Sequence, residues 1–205
     1  VGLGSASGAG AVALYRRNAV GLWSRSATLS PADSMPEDHF GIGVAIDGRV
    51  ALVQKEQHAL YVFERRQGTW IERQRITFAD KELLDMLGNH RLDQANGTAA
   101  VASFVFIPGE EEPVNQTIVF ERRKNGTFRR VATLRTSTES RLALGHSVAL
   151  DSSGKRLLIG NPEEQNVQPF QSVGAAYIFE RHGGQWPVKP GRDAGTRWRA
   201  CLPYP

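Results

Sequence analysis

The chain has 205 residues, 40% of them hydrophobic and 22% charged, with 21 Gly, 10 Pro and one cysteine, Cys201. That apolar content excludes a disordered chain, the lone cysteine excludes a disulfide scaffold, and no apolar run approaches the roughly 18 residues of a membrane-spanning helix. The net charge of +4 comes largely from Arg pairs interleaved with acids, which reads as solvated strand ends and turns and not as a nucleic-acid surface. In chain order, the first strand signal is Ala13-Leu-Tyr-Arg-Arg17, followed by Gly21 and Trp23. Phe40-Gly41 opens the next unit, where Gly43–Ile46 ends at Asp47-Gly48, a two-residue hairpin signal, and Val50–Val53 follows at once. Tyr61-Val-Phe-Glu-Arg-Arg66 gives its third strand, and Gly68 leads into a fourth, Trp70–Ile76. The third unit carries Leu87-Gly88, a poor inner strand at Arg91-Leu92-Asp93, the hairpin pair Asn96-Gly97 and a second strand over Ala99–Phe106. It closes with Ile118-Val-Phe-Glu-Arg-Arg123, Gly126 and Phe128. The fourth unit runs through Leu144-Gly145, Ser147–Leu150, Asp151-Ser-Ser-Gly154, Arg156–Gly160, Tyr177-Ile-Phe-Glu-Arg181, Gly184 and Trp186.

These units are one repeat. Its aromatic anchors, Tyr15, Phe63, Phe120 and Phe179, stand 48, 57 and 59 residues apart (15 to 63, 63 to 120, 120 to 179). Each is followed by a Gly and a second aromatic. The third strand of each unit is apolar on both faces, so both faces must be covered. No helical period fills the gaps, which leaves sheets stacked on sheets. Four-stranded repeats of about 50 residues match the blades of a β-propeller, with a β-sandwich of irregular hairpins as the rival. The expected fold is therefore all-β: antiparallel four-stranded propeller blades, incomplete at about three and a half. Their bounds are approximately 1–30 (partial), 40–77, 87–135 and 144–186. Residues 187–205 form a basic, Gly- and Pro-rich tail. Closed propellers have about four to eight blades, so an arc of this size would expose apolar terminal faces and would need further blades or a partner copy to close. The chain opens on Val1 with no signal peptide visible, and it reads as a piece of a longer protein.

Phe40-Gly41-Ile-Gly-Val-Ala-Ile-Asp-Gly-Arg-Val-Ala-Leu-Val53 resembles the first two strands of an FG-GAP repeat, the blade of integrin-like propellers. Gly8-Ala-Gly-Ala-Val-Ala-Leu-Tyr15 and Val173-Gly-Ala-Ala-Tyr-Ile-Phe179 resemble its third strand, and Gly160-Asn161-Pro162 stands at its Gly-Ala-Pro element. Val1-Gly2-Leu3-Gly4 looks like a worn copy of that element, and the intact element occurs nowhere. The resemblance covers about residues 1–186.

The resemblance implies a non-catalytic binding or adhesion module, extracellular or at a cell surface, that presents loops to a protein ligand. The alternatives are a propeller that positions an enzyme or toxin domain outside this chain, and a carbohydrate-binding propeller. Against the latter, the second aromatics sit at strand four, where packing between blades is the simpler role. No catalytic motif is present: there is no GxSxG elbow, no zinc spacing among His39, His58, His90, His146 and His182, and no base assigned to Cys201. Family hairpins that hold Ca²⁺ are rich in Asp. The three here, headed by Asp47, Asp93 and Asp151, each offer at most one carboxylate, so no cofactor is expected.

The expected ligand-binding residues are Glu110, Glu111, Glu112, Asn115, Glu163, Glu164 and Gln165, in the long loops 108–116 and 161–173. They belong to an edge that also holds loop 54–58 and the blade-joining segments 31–39, 81–86 and 137–142. Acids gather there, including Asp33, Glu37, Asp38, Asp80 and Asp85, while the Arg pairs gather at the opposite, hairpin edge. The expectation is one acidic and one basic face. The expected partners are a protein ligand or further blades of the propeller, with no nucleic acid and no membrane insertion. Asn96, Asn115 and Asn125 head glycosylation sequons, although Asn-Gly is also a favoured turn pair.

Overall fold

Short turns set the hairpins of this chain: one falls on Gly48-Arg49 and not on the expected Asp47-Gly48, because Asp47 already pairs with Val50, and another falls on Asn96-Gly97. Asn96 and Gly97 both adopt positive φ, 46° and 76°, the geometry of a tight hairpin turn whose twist matches the flanking strands. The computed structural model describes residues 8–56, 59–78, 82–84, 91–105, 114–135, 145–162 and 174–187. Among them every regular element is a strand. The first sheet pairs β1 (Val12–Arg17) with β2 (Trp23–Leu29). The second is a four-stranded antiparallel meander of β3 (Phe40–Asp47), β4 (Val50–Lys55), β5 (Ala59–Arg66) and β6 (Thr69–Thr77).

The third sheet contains β7 (Glu82–Leu84), β8 (Leu92–Ala95), β9 (Thr98–Val105), β10 (Val114–Arg122) and β11 (Phe128–Leu134). Here β7 and β8 lie end to end along one edge of β9, opposite Ser103–Val105 and Thr98–Val101 respectively. Together they serve as the innermost strand, broken in two. Two expectations are corrected here. Residues 82–84 are strand and not blade-joining loop, because they continue the ladder along β9. The Leu92 segment, read as a poor strand, pairs along its whole length and buries Leu92 and Gln94. Leu87-Gly88 lies outside the described residues. The fourth sheet orders β12 (Ser147–Leu150), β13 (Arg156–Asn161) and β14 (Ala175–Glu180). The strand expected at Trp186 is represented among the described residues by a single bridge, His182 to Gln185.

The repeat is visible as geometry. In the first three sheets the register between strands three and four slips just before the anchor: at Leu14/Tyr15, Val62/Phe63 and Val119/Phe120. Two residues beyond the anchor, Arg17, Arg65 and Arg122 stand opposite Trp23, Trp70 and Phe128. Anchor, bulge and second aromatic are therefore one unit, a hairpin twisted by its bulge.

The four sheets stack in chain order as blades, and three apolar clusters lie between them. The first holds Val12, Leu14 and Leu29 of the first blade against Phe40, Ala51, Val53, Tyr61, Phe63 and Trp70 of the second. The next holds Val50, Leu52, Leu60 and Val62 against Val101, Ile118, Phe120 and Phe128. The last holds Ala100, Val119 and Leu134 against Leu157, Ile159, Phe179 and Trp186. Alternate residues of β5 and β10 thus serve different neighbours, as a strand apolar on both faces requires. Anchor and second aromatic face the preceding blade. The residues between them in register face the following one.

The Phe-Gly signal has a steric cause. Gly41 and Gly145 have φ of 102° and 94°, and each lies against the preceding blade. A Cβ there would press on Val12 in one case and on Ala102 and Thr117 in the other. Only glycine allows both the backbone turn and the close approach.

Candidate interaction surface

The strand directions place two edges on each blade, a hairpin edge and a loop edge. The hairpin edge is joined across blades by polar bonds. The Asp47 carboxylate accepts from the Asn96 amide at 2.7 Å, and the Asp93 carboxylate accepts from the Leu150 amide at 2.7 Å. The Asn96 side chain donates to the Ser153 carbonyl. Gln94 donates its amide to the carbonyls of Ala45 and Val50, and Gln74 exchanges two bonds with the Phe128 backbone. In the last hairpin the Asp151 carboxylate accepts from Ser153 Oγ and from the amides of Lys155 and Arg156. The Ser153 bond, with those amides, holds the Asp151 carboxyl below the ordinary carboxylate range. All three hairpin acids are therefore spent on N–H and O–H donors.

A second feature of this edge was not read from the sequence. Glu64, one residue past the anchor of the second blade, meets Arg122, two residues past the anchor of the third, at 2.6 Å. Glu121 meets Arg181 of the fourth blade at 2.7 Å in the same way. Glu64 also receives Arg66 at 2.9 Å and Arg73 at 3.4 Å. Burial pushes the Glu64 carboxyl up, but the Arg66 and Arg122 guanidinium groups outweigh it and hold it below the usual range. Around this pair an open cleft of about 440 Å³ is lined by Glu64, Arg66, Asn96, Arg122, Arg123 and Lys124, among others. The expectation of a basic hairpin edge is corrected: Glu64, Glu121 and Glu180 lie among its Arg residues, Glu64 and Glu121 brought by the stacking onto the next blade's Arg and Glu180 paired with Arg156 of its own blade.

At the loop edge, Asp38 and Lys55 form a largely buried pair at 2.7 Å, and Asp38 also accepts from the Met35 amide. Asp33 accepts from the Tyr61 hydroxyl at 2.9 Å and pairs with Arg75, whose guanidinium lies over the Tyr61 ring. Burial raises the Asp33 carboxyl, but the Tyr61 bond and the Arg75 charge hold it below the ordinary range; burial and the same bond push the Tyr61 hydroxyl well up. The described acids of this edge are thus partly neutralised.

Of the expected ligand-binding residues, Glu110, Glu111, Glu112, Glu163, Glu164 and Gln165 lie outside the described residues, as do Asp80 and Asp85. Asn115 is half-buried in β10 opposite Phe104. The strands reach further into the expected loops. Gln54, Gln116 and Asn161 are strand residues, fully buried, and were read as loop because they are polar. Gln116 illustrates why this works: Arg135 donates to its carbonyl at 2.8 Å.

Among known families, the FG-GAP repeat matches residues 23–56, the span from β2 through β3 and β4. Residues 23–56 are thus similar to an FG-GAP repeat. No curated protein matches the chain. The FG-GAP segment includes Phe40, whose ring meets Tyr61 and Phe63 edge-on at centroid distances of 5.5 and 6.1 Å, and Gly41, whose turn was explained above. The same stacking positions recur outside it, in the third and fourth blades, so the propeller-like stack of antiparallel sheets extends beyond the matched residues.

The second aromatics divide by place. Phe128 and Trp186 are buried between blades and Trp70 partly so, as expected of strand four. Trp23 and its anchor Tyr15 are 67% and 59% exposed, since their side of the first blade carries no sheet among the described residues.

Proposed function

We propose that this chain is a non-catalytic binding or adhesion module, extracellular or cell-surface, that holds its loop edge toward a protein partner. What supports the reading is the division of labour in each blade. The apolar side chains of the FG-GAP architecture are consumed by blade-to-blade packing, and the hairpin edge is tied up in inter-blade bonds. The loop edge is where long connections leave a rigid frame, the arrangement in which binding residues are usually carried. FG-GAP repeats are generally non-catalytic and occur in extracellular or surface proteins. The acidic loops 108–116 and 161–173 are the proposed contact.

The test is adhesion of cells to surfaces coated with the chain. Replacing Glu110, Glu111, Glu112, Glu163 and Glu164 by Gln should abolish adhesion at unchanged thermal stability. Adhesion that survives those changes, or its absence in the parent chain, overturns the reading. A carbohydrate-binding module is the second reading, favoured by the exposed Trp23 and Tyr15. Those two rings occupy positions that elsewhere pack between blades. A glycan array that lights up with the parent chain and darkens with Trp23→Ala would decide for it.

A further inference from the structure

The two ends of the stack carry the two halves of one interface. The interfaces between the second and third blades and between the third and fourth follow the same rule. The following blade offers its aromatic anchor, its second aromatic and an Arg two residues past the anchor. The preceding blade offers apolar residues of strands two and three and a Glu one residue past its anchor. At the leading face of the first blade, the following-blade half stands open: Tyr15, Trp23 and Arg17. At the trailing face of the fourth blade, the preceding-blade half among the described residues is Leu158, which is exposed, with Ile178 and Glu180, which are partly so.

The equivalences are positional. Leu158 lies opposite Ile178 as Leu52 lies opposite Val62 and Ala100 opposite Val119. Yet Leu52 and Ala100 are fully buried, whereas Leu158 is 44% exposed. Among the described residues, Glu180 pairs with groups of its own blade, Arg156 at 2.9 Å and His182 at 3.7 Å. Glu64 and Glu121 hold such local partners too, and the next blade's Arg in addition. Arg17 donates to the Gly21 carbonyl of its own turn, as Arg65 does to Gly68. Arg65 has no Glu before it, because Arg16 stands at that position of the first blade.

We propose that the trailing face of one copy docks on the leading face of a second copy, head to tail, with Glu180 meeting Arg17 of the second copy and Leu158 and Ile178 covering its Tyr15 and Trp23. The proposal rests on reading the chain as a stack of propeller-like blades. It commits to a second copy because the two open faces are complementary in charge and apolarity at matching positions, whereas two copies of either face would oppose like charges. Such a contact is heterologous, so copies close into a ring or extend as a chain of copies.

Sedimentation velocity of the chain from about 1 to about 100 μM tests it, a range suited to weak association. Association that grows with concentration is expected. Arg17→Glu and Glu180→Arg should each weaken it about tenfold or more, since each opposes like charges at the contact. An equal mixture of these two variants should regain it, because every contact between unlike copies then joins opposite charges. Trp23→Lys should also weaken it. Arg17 and Trp23 are exposed and Glu180 is partly exposed, and the circular dichroism and unfolding of each variant should match the parent. A chain that stays monomeric to 100 μM, or associates equally well with the charge swaps, overturns the docking. Neither result touches the adhesion assay, so the binding-module reading stands or falls separately.

Discussion

The interface between the second and third blades and the outer face of the first blade are made from the same repeat positions, yet one is core and the other is surface. Phe120 and Tyr15 are both anchors, each just past a β-bulge and two residues before an Arg. Phe120 is 3% exposed, packs among Leu52, Leu60 and Val62 and meets Phe78 edge-on at 6.3 Å. Tyr15 has no such neighbours among the described residues. Burial in this architecture is a property of the stack, and a strand inherits it from the blade beside it.

The largest expected contrast lies there. Phe120→Ala should destabilise the chain by about 3–5 kcal/mol, through lost burial and the cavity left behind. Tyr15→Ala should cost the dilute, unassociated chain no more than about 0.5 kcal/mol. Urea unfolding reads both, and equal losses would break the comparison. Next come Leu52→Ala and Leu158→Ala, again at matched positions. The first should cost about 2–5 kcal/mol and the second well under half of that.

Smaller effects come from the ion pairs. Glu64→Gln leaves Arg122 with a weakened partner in a largely buried setting and should cost about 1–3 kcal/mol at neutral pH. Glu180→Gln should stay within about 0.5 kcal/mol, as exposed pairs do. The pH dependence follows from sign. The Glu64 carboxyl titrates lower in the folded chain than in the unfolded one, so its contribution is full above the unfolded value of 4.5. It declines as pH falls below that value and is gone once pH has passed the folded one. Unfolding of Glu64→Gln should accordingly show a flatter loss of stability between neutral pH and the acid limb than the parent. The smallest effect needs spectroscopy: an NMR titration should find Asp151 below the ordinary carboxylate range, and Ser153→Ala should move it back up.

Much of this was legible in the sequence. Anchors, second aromatics and Phe-Gly glycines are marked by residue types with few alternatives, because each fills a site that only an aromatic or a glycine satisfies. The apolar double face of Leu60-Tyr61-Val62-Phe63 likewise required cover on two sides. What escaped was whatever depends on a neighbour about 60 residues away. The Glu of each repeat looked like surface charge, since nothing local shows that it will meet the next blade's Arg. Gln94 was read as part of the hairpin that Asp93 heads, although it satisfies two carbonyls of the preceding blade. Gln54, Gln116 and Asn161 looked like loop, because polarity was taken for exposure. Trp23 failed in the opposite sense: its position was read correctly, but no sequence pattern reports whether a neighbour stands beside it. The candidate ligand loops were legible as long and acidic, and little more, because a loop's chemistry is set by how the frame positions it.

The one-residue offset between Glu64 and Arg122, repeated between Glu121 and Arg181, has a consequence for ancestry. A stack with such an offset has a reading direction, and every inner blade carries the donor half on one side and the acceptor half on the other. Tandem duplication of an inner blade would create a new junction that is already matched, with no compensating change elsewhere. Growth by copying is then nearly neutral, whereas an inverted or imported unit would arrive mismatched. Arg16, at the place where the second and third blades carry Glu, leaves the first junction without that Glu–Arg contact.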